Sequence, residues 1–304
     1  MRVATIDCGT NSIRLLIADI DAGNFREIFR DMEIVRLGQG VDKTGEFDPD
    51  AISRTLAAVD KYAAEIARRG VERIRFCATS ATRDAKNRAL FIDGVKNRLG
   101  IEPEVISGQE EAELSFLGAT KELPLSLAPF LVVDIGGGST EFVIGDRKVT
   151  AAKSVNIGCV RMSERHFQHD PAEPAEIALA RLDIQAAISD AAKSVDIKSA
   201  KTLIAVAGTA TTVAAAALEL PTYDRHAIHL SRISANQTFE VSERFLNTTK
   251  AERAKFGYMH EGRVDVIGAG SLVLAEILKA SGHAEFIASE SDILDGMAWK
   301  LAEN

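Results

Sequence analysis

The sequence predicts an α/β fold made of two duplicated lobes, each with three strands followed by alternating helices and strands. Two similar segments support this prediction. In each of them an apolar run ends in an aspartate, a glycine turn follows, and a second β-like run leads away: Val3–Asp7 precedes the first turn and Phe130–Asp134 the second. Three strands followed by helix–strand alternation, found twice, are typical of α/β domains with right-handed crossovers. A chain of 304 residues is long enough for about two such domains.

The first lobe begins with three predicted strands. Turns around Gly9 and at Asp21-Ala22-Gly23-Asn24 join the strands Val3–Asp7, Ser12–Asp19 and Phe25–Leu37. Later boundaries are set by proline at a helix start and by glycine just past a helix end. The elements that follow are a helix from Asp48-Pro49 to Gly70, a strand at Ile74–Ala78, a helix at Asp84–Leu99, a strand at Pro103–Ile106 and a helix from Ser107 to about Gly118.

The last of these helices carries two acids in its first turn. Ser107-Gly108-Gln109-Glu110 has the form of a capping box, in which the Glu110 side chain folds back on the Ser107 cap. The next acid, Glu111, is then free for another role. Both acids can also be explained without a function, because the helix dipole favours negative charge at a helix N-terminus. The residues alone therefore leave the role of Glu111 open.

The second lobe follows a junction that contains two prolines. Pro124 and Pro129 interrupt any helical period, so we place residues 1–124 in the first lobe and residues 125–304 in the second. The predicted elements of the second lobe are strands at Phe130–Asp134, Thr140–Gly145 and Arg147–Val155, helices at Val160–Phe167 and Pro174–Lys193, a strand at Thr202–Ala207, a turn at Gly208–Thr212, an irregular loop at Thr222–Ser231, further helices, a strand at Ala284–Ala288 and a closing helix from Ser291 to about Ala302.

The two turns have the composition of phosphate-binding hairpins. The first reads Asp7-Cys8-Gly9-Thr10-Asn11-Ser12, and the second reads Asp134-Ile135-Gly136-Gly137-Gly138-Ser139-Thr140-Glu141. Glycines leave backbone N–H groups exposed to an anion, and a carboxylate at a strand end can hold a divalent cation against phosphate. Either turn alone is explained equally well as a tight hairpin connection. Because the pattern occurs twice, phosphoryl chemistry on a polyphosphorylated ligand is the favoured interpretation.

Composition excludes several classes of protein. The net charge is −8, so no global basic field is available for binding nucleic acid. The sequence shows neither a signal peptide nor an apolar run of about 20 residues, which argues against membrane association. The cysteines Cys8, Cys77 and Cys159 are far apart and form no CxxC pair, as expected in a reducing cytoplasm. We therefore expect a cytoplasmic enzyme that holds an anionic substrate by local contacts.

Six ordered motifs resemble the exopolyphosphatase / guanosine pentaphosphate phosphohydrolase family, and the resemblance covers nearly the whole chain. They are the two turns with their flanking strands, together with Ala78–Ala85, Ile106–Ala112, Gly208–Thr212 and Ser289–Gly296. The resemblance implies two actin-like (ribonuclease-H-like) lobes, each βββαβαβα, with the active site in the cleft between them. The same superfamily includes sugar and acetate kinases and heat-shock chaperone ATPases. It also implies that the last helix, about 291–304, packs back on the first lobe.

The resemblance also bears on the site residues. It assigns to Glu111 the general base that takes a proton from the attacking water. Asp7, Asp134 and Glu141 are the metal candidates; Asp134 and Glu141 are also counted as catalytic, and the expected ion is Mg²⁺, with Mn²⁺ as the alternative. The residues expected to bind substrate are Gly9, Thr10, Asn11, Ser12, Arg83, Gly136, Gly137, Gly138, Ser139, Gly208 and Thr209.

Some of these assignments have structural alternatives. Arg83 would otherwise form a surface ion pair with a neighbouring aspartate. The segment Gly208–Thr212 would otherwise be only a strand-to-helix turn with a threonine cap. Arg14 is a second arginine considered for phosphate; in mid-strand it would otherwise only alternate outward.

The resemblance implies a metal-dependent exopolyphosphatase that releases terminal orthophosphate from inorganic polyphosphate by water attack. Longer members of the family have a further C-terminal helical region that this sequence does not contain, so we expect a preference for short chains and a distributive mechanism. The main alternative is removal of the 5′-terminal phosphate of guanosine pentaphosphate, in the stringent response. A small-molecule kinase and a non-hydrolytic nucleotide- or alarmone-binding regulator are the other classes. A homodimer is the family-level expectation.

Overall fold

The computed structural model describes residues 1–21 and 23–303, so Ala22 of the predicted turn and Asn304 of the predicted last helix lie outside the described residues. The chain divides into two units, one formed by Met1–Gly118 with Ile293–Asn304 and the other by Ala119–Asp292. Each unit has its own mixed β-sheet with helices packed on it. The predicted α/β class is therefore observed in both units.

The first unit contains a sheet of five strands. They are β1 Arg2–Cys8, β2 Ser12–Asp21, β3 Asn24–Ile34, β4 Arg73–Ala78 and β5 Glu104–Val105. The strand order is β3-β2-β1-β4-β5, with β1 antiparallel to β2 and parallel to β4. The helices that begin in this unit are α1 Val41–Thr44, α2 Pro49–Arg68, α3 Ser80–Asp84, α4 Arg88–Leu99, α5 Gly108–Thr120 and, at the end of the chain, α13 Ile293–Glu303.

The helix α2 shows how the sequence determines local structure in this unit. The Asp48 side chain caps the helix by accepting from two N–H groups of its first turn, and Pro49 occupies a position where no donor is needed. Apolar side chains at helical spacing on one face of α2 are buried in the core of this unit. The Tyr62 hydroxyl, also buried, donates to the Ile13 carbonyl on β2 at 3.0 Å. The helix is thereby held against the strand that follows the first turn.

The helix α13 packs within the first unit although it comes last in the chain. Arg30 on β3 donates to the Asp295 carboxylate at 2.6 Å. A Cβ on Gly296 would overlap the Leu114 carbonyl of α5, so only glycine permits this close approach of the two helices. These contacts hold α13 on the sheet and beside α5.

The second unit repeats the arrangement of the first and adds one strand at an edge of the sheet. Its strands are β6 Phe130–Ile135, β7 Thr140–Gly145, β8 Val149–Val155, β9 Thr202–Val206, β10 Arg232–Ser234 and β11 Glu285–Ala288. The order is β10-β11-β9-β6-β7-β8, with β6 antiparallel to β7 and parallel to β9. The helices are α6 Cys159–His166, α7 Pro174–Ala192, α8 Ala207–Ala217, α9 Arg225–Ile228, α10 Ala235–Asn247, α11 Lys250–Arg253 and α12 Ile267–Ser281. No helix in the described part of the chain combines the length and apolarity needed to cross a membrane.

Two predicted elements away from the two glycine turns differ from the structure. The helix predicted at Asp84–Leu99 is divided into α3 and α4, because the Asn87 side chain binds both backbone groups of Phe47 at the break. The loop predicted at Thr222–Ser231 contains the short helix α9, whose N-terminus is capped by Asp224. Each difference comes from one polar side chain, Asn87 in the first case and Asp224 in the second. The periodicity of apolar residues does not predict such contacts.

Candidate active site

Two carboxylates meet beside the second turn. Asp134 on β6 and Glu141 on β7 lie directly opposite each other in the antiparallel register, so their side chains share one face of the sheet. Side chains in such a pair have Cβ atoms about 5 Å apart. Asp134 is 6% exposed and Glu141 is 0% exposed. Two acids held so close with little access to water are an arrangement that a divalent cation can stabilise.

The turn between these strands is oriented by the beginning of α6. The N–H of Gly136 donates to the Ser139 carbonyl at 3.0 Å, which closes the turn. The carbonyls of all three glycines accept hydrogen bonds from the start of α6; the donors are the N–H groups of Gly158, Cys159, Val160 and Arg161, and Arg161 Nε.

This pattern determines where the N–H groups of the turn point. In a trans peptide the C=O and the following N–H are directed oppositely, and the peptides of this turn are trans. Because the glycine carbonyls point toward α6, the N–H groups of Gly137, Gly138 and Ser139 point away from it. Three N–H groups on one side of a turn form a concavity that suits an anion.

The close approach of α6 to the turn depends on Gly158. A Cβ at this position would overlap the backbone of Gly137 and Gly138. The φ of Gly158 is −77°, which any residue adopts, so the requirement for glycine comes from space and not from backbone conformation.

Replacing Gly158 with alanine is therefore expected to displace the turn. We expect the free energy of unfolding to fall by about 1–3 kcal/mol, the usual cost of overpacking, and turnover to fall with it. Urea denaturation and orthophosphate release measure the two effects. Gly268→Ala in α12 is the matched control, because a Cβ there would meet its nearest neighbours at 3.6 Å. Wild-type stability and turnover in Gly158→Ala would contradict the proposed packing role.

The first turn has an equivalent hydrogen-bond pattern. The N–H of Gly9 donates to the Ser12 carbonyl at 3.0 Å, and equivalent residues of the two turns are separated by the same number of positions. The carbonyls of Thr10 and Asn11 accept from N–H groups in the segment 35–38. Since these carbonyls point toward that segment, the N–H groups of Asn11 and Ser12 point away from it. The duplication predicted from the sequence therefore extends to the orientation of single peptide groups.

The aspartate of the first turn is in an ion pair. Arg14, its cross-strand neighbour on β2, donates to Asp7 Oδ2 from Nη2 at 2.6 Å and from Nε at 3.1 Å. The Thr10 hydroxyl is hydrogen-bonded to the Ser80 hydroxyl at 3.0 Å. Arg14 thus lies beside the turn instead of only alternating outward, and a cation bound by Asp7 would have to compete with it.

Glu111 is bound to another of the predicted site residues. Arg83 donates from Nη1 to Glu111 Oε2 at 2.8 Å and to the Ile106 carbonyl at 2.9 Å. The exposed fraction of the Glu111 side chain is 11%. The same arginine that was expected to contact phosphate therefore fixes the carboxylate that was expected to act as the base.

The predicted capping box is only half present. The N–H of Glu110 donates to the Ser107 hydroxyl at 3.1 Å, so Ser107 caps α5 as predicted. The Glu110 carboxylate instead accepts from Arg75 on β4 at 2.6 Å. A bond to a charged guanidinium is stronger than one to a neutral backbone N–H, which explains why the side chain turns toward β4.

The segment Gly208–Thr212 is helical and is not the predicted turn with a threonine cap. Val206 occupies the N-cap position of α8 without a side-chain cap, and the next residue, Ala207, has a φ of 67°. A left-handed conformation costs a non-glycine residue roughly 1–2 kcal/mol. Backbone strain of this kind is often found at functional sites. Because alanine rarely adopts this conformation, it could not be predicted from the residue type.

Arg263 is a candidate that the sequence did not reveal. Its guanidinium lies so close to Gly208 that a Cβ there would overlap it, and Nη1 donates to the Thr212 hydroxyl at 3.0 Å. Arg263 therefore reaches the beginning of α8, where Gly208 and Thr209 were expected to bind substrate. No sequence motif connects these segments, which only the fold brings together.

The cysteine beside the second turn is not suited to act as a nucleophile. Burial raises the pKa of Cys159 to about 11, against a smaller opposing effect of its hydrogen bond with Thr209. A thiol with such a pKa is protonated at neutral pH, whereas the thiolate is the reactive form. This is consistent with the expected attack by water.

The acidic side chains determine which metal ion this protein can hold. The described residues include no group of three or more His, Cys, Asp or Glu that could hold a metal ion. The pair of Asp134 and Glu141 nevertheless fits Mg²⁺, because this ion is commonly held by one or two carboxylates, with waters and substrate phosphates as its other ligands. Asp7 belongs to the other unit and is paired with Arg14. The acids present therefore fit a hard divalent cation that the substrate helps to hold.

The duplicated sheets and the paired turns define a class of α/β proteins in which each of two units carries a turn suited to phosphoryl groups. The model of the Ppx/GppA phosphatase family matches residues 16–304. The chain is 46% identical to Exopolyphosphatase 2 of Mycobacterium tuberculosis, over 99% of this chain and 98% of that protein. The chain therefore belongs to the Ppx/GppA phosphatase family, and the prediction of a hydrolase acting on phosphoanhydride bonds is confirmed.

Two further comparisons describe the breadth of this family. The crystal structure of the Aquifex aeolicus family member has a TM-score of 0.83 and 32% identity, and the match covers 100% of this chain and 99% of that one. The predicted α/β class with two sheet-containing units is thus the fold of this family. Guanosine-5′-triphosphate,3′-diphosphate pyrophosphatase of Pseudoalteromonas atlantica is 34% identical over 62% of this chain and 37% of that protein.

Proposed function

We propose that this protein is a metal-dependent exopolyphosphatase, which releases terminal orthophosphate from inorganic polyphosphate. The observation that carries the proposal is the pair of equivalent turns, whose carbonyls are engaged by the chain itself so that N–H groups are directed to one side. The end of a polyphosphate chain presents dense negative charge to such donors. The 46% identity to Exopolyphosphatase 2 of Mycobacterium tuberculosis, over 98% of that protein, supports the same substrate.

The terminal phosphate is to be bound by backbone and arginine donors. The N–H groups of Gly137, Gly138 and Ser139 supply the neutral donors, and the first turn supplies an equivalent set. Arg83 and Arg263 supply charged donors, which hold phosphate oxygens more strongly than neutral groups do.

Asp134 and Glu141 are the residues that would hold the divalent cation, Mg²⁺ or alternatively Mn²⁺. A bound cation neutralises charge on the phosphate oxygens and so lowers the barrier to attack by water. The contribution of the chain is to keep two carboxylates opposite each other on neighbouring strands, where they are shielded from bulk water.

Glu111 is the proposed general base. Its ion pair with Arg83 keeps the carboxylate in one position at the start of α5. A base in a fixed position accepts a proton from an oriented water more effectively than a mobile one, since its geometry needs no rearrangement during the reaction. Arg83 is thus proposed to act twice, on the substrate and on the base.

The proposed place of action is the cytoplasm. The cysteines Cys8, Cys77 and Cys159 are all free and buried, which suits a reducing compartment. The homodimer expected for the family stays a prediction.

A second candidate function is removal of the 5′-terminal phosphate of guanosine pentaphosphate. The similarity to a guanosine-5′-triphosphate,3′-diphosphate pyrophosphatase over 62% of this chain favours it. The terminal phosphate of that substrate presents the same oxygens to the turns. The two functions therefore differ in what the rest of the substrate contacts. Under either candidate function, we expect the two substrates to compete for one site.

We also propose that short polyphosphates are preferred and that hydrolysis is distributive. With a net charge of −8, the protein offers no extended basic field that would retain a long polyanion between cleavages. When long polyphosphate is digested and the products are separated by gel electrophoresis, we expect a ladder of intermediate lengths. Conversion to orthophosphate while the remaining substrate keeps its full length would show a processive enzyme and contradict this proposal.

A further inference from the structure

A third polar side chain stands in line with the two carboxylates of the second unit. The register places Asp134 on β6 opposite Glu141 on β7, and Glu141 opposite Ser154 on β8. Side chains directly opposite one another across neighbouring strands share a face of the sheet. The three residues therefore form one row across three strands.

Ser154 is hydrogen-bonded to the middle member of this row. Its hydroxyl donates to Glu141 Oε1 at 2.7 Å. This distance is typical of a bond from a hydroxyl to a charged carboxylate. Because an ionised carboxylate only accepts hydrogen bonds, the direction of donation is from Ser154 to Glu141.

The neighbours of Ser154 on β8 take no part in the row. Lys153 points to the opposite face and pairs with Asp190 of α7 at 3.1 Å, and Val155 packs in the hydrophobic core. Alternation along the strand thus leaves Ser154 as the residue of β8 that faces Glu141.

We propose that Ser154 is a positioning residue, which fixes the orientation of the Glu141 carboxylate for the divalent cation. The proposal rests on the function given above. A glutamate side chain has several rotatable bonds, and a hydrogen bond to one oxygen restricts them. A hydroxyl does this without adding charge, so it leaves the negative charge of the carboxylate in place for a cation. Hydrogen bonds to metal-binding carboxylates typically affect metal affinity about 10- to 100-fold.

The test measures the binding of Mn²⁺ in the absence of substrate. Electron paramagnetic resonance detects the free and the bound ion. Ser154→Ala is expected to raise the dissociation constant for Mn²⁺ at least about 10-fold. Ser154→Thr keeps the hydroxyl and is expected to stay near wild type. Thr150→Ala is the matched control, since its hydroxyl on the same strand donates to the Ile144 carbonyl at 2.9 Å. Ser154→Cys, which replaces a strong donor with a weak one, serves if the alanine variant does not fold.

The double variant Glu141→Gln/Ser154→Ala shows whether Ser154 acts through Glu141. If Ser154 acts through Glu141, the double variant should bind Mn²⁺ no more weakly than Glu141→Gln alone, because the effects of substitutions at coupled residues do not add. Wild-type affinity in folded Ser154→Ala or Ser154→Cys, with Glu141→Gln impaired, would overturn the role of Ser154 and leave the metal site standing. Wild-type affinity in Glu141→Gln would instead overturn the metal site itself, and the role of Ser154 with it.

Discussion

Glu111→Gln is expected to reduce orthophosphate release by roughly 10²- to 10⁴-fold, the usual contribution of a general base. The amide has almost the shape of the carboxylate but cannot take up the proton of the attacking water. It can still accept a hydrogen bond from Arg83 through its carbonyl oxygen, so the contact between α3 and α5 should persist. The loss should therefore appear in kcat, with the folded state preserved. Steady-state phosphate release and thermal unfolding measure the two quantities.

Glu110→Gln is the matched control for this variant. Glu110 is the neighbouring acid in the same helical turn, and its carboxylate accepts from Arg75 on β4. The substitution removes the charge of Glu110 and with it a partly exposed ion pair. Loss of such a pair typically changes the free energy of unfolding by about 0–1 kcal/mol. We expect nearly normal turnover. If Glu111→Gln turned over as fast as Glu110→Gln, another group would have to be the base.

Asp134→Asn is expected to produce the second large effect, on the metal requirement. The asparagine keeps the size of the side chain but removes one of the two opposed charges on β6 and β7. Mg²⁺ then loses a charged ligand, so the concentration needed for half-maximal activity should rise at least about 10-fold. Titration of Mg²⁺ at saturating short polyphosphate measures this shift.

Asp146→Asn is the control for Asp134→Asn. Asp146 is an exposed acid in the connection between β7 and β8, so its loss changes the net charge equally without touching the proposed site. It should leave the Mg²⁺ titration unchanged. An unchanged metal requirement in Asp134→Asn would remove this residue from the set of metal ligands.

The parts of the structure that follow from local sequence were predictable. The strands beside the turns follow from apolar runs that end in aspartate, and the Ser107 cap follows from the spacing of a hydroxyl before an acidic helix start. The duplication was visible because the two turns repeat the same order of residue types. Local signals of this kind act within a few residues, where chain connectivity alone brings the groups together.

The contacts that complete the candidate site depend on residues distant in the chain and could not be predicted in this way. Arg263 contacts Thr212 across 51 positions of the chain, with several helices between them. The ion pair between Arg83 and Glu111 joins two helices, and neither position indicates the other in the sequence. Ala207 adopts a conformation that its residue type disfavours. In each case tertiary structure imposes an arrangement that local preference does not contain.

The most direct test of the whole account is the release of orthophosphate by the wild-type protein in Mg²⁺ from equal concentrations of short polyphosphate, long polyphosphate, guanosine pentaphosphate and ATP. We predict the highest kcat/KM on short polyphosphate, with lower values on the other three substrates. Release confined to guanosine pentaphosphate would favour the second candidate function over the first. Tight binding of polyphosphate without release of phosphate from any of the four would contradict the central claim that these turns serve hydrolysis.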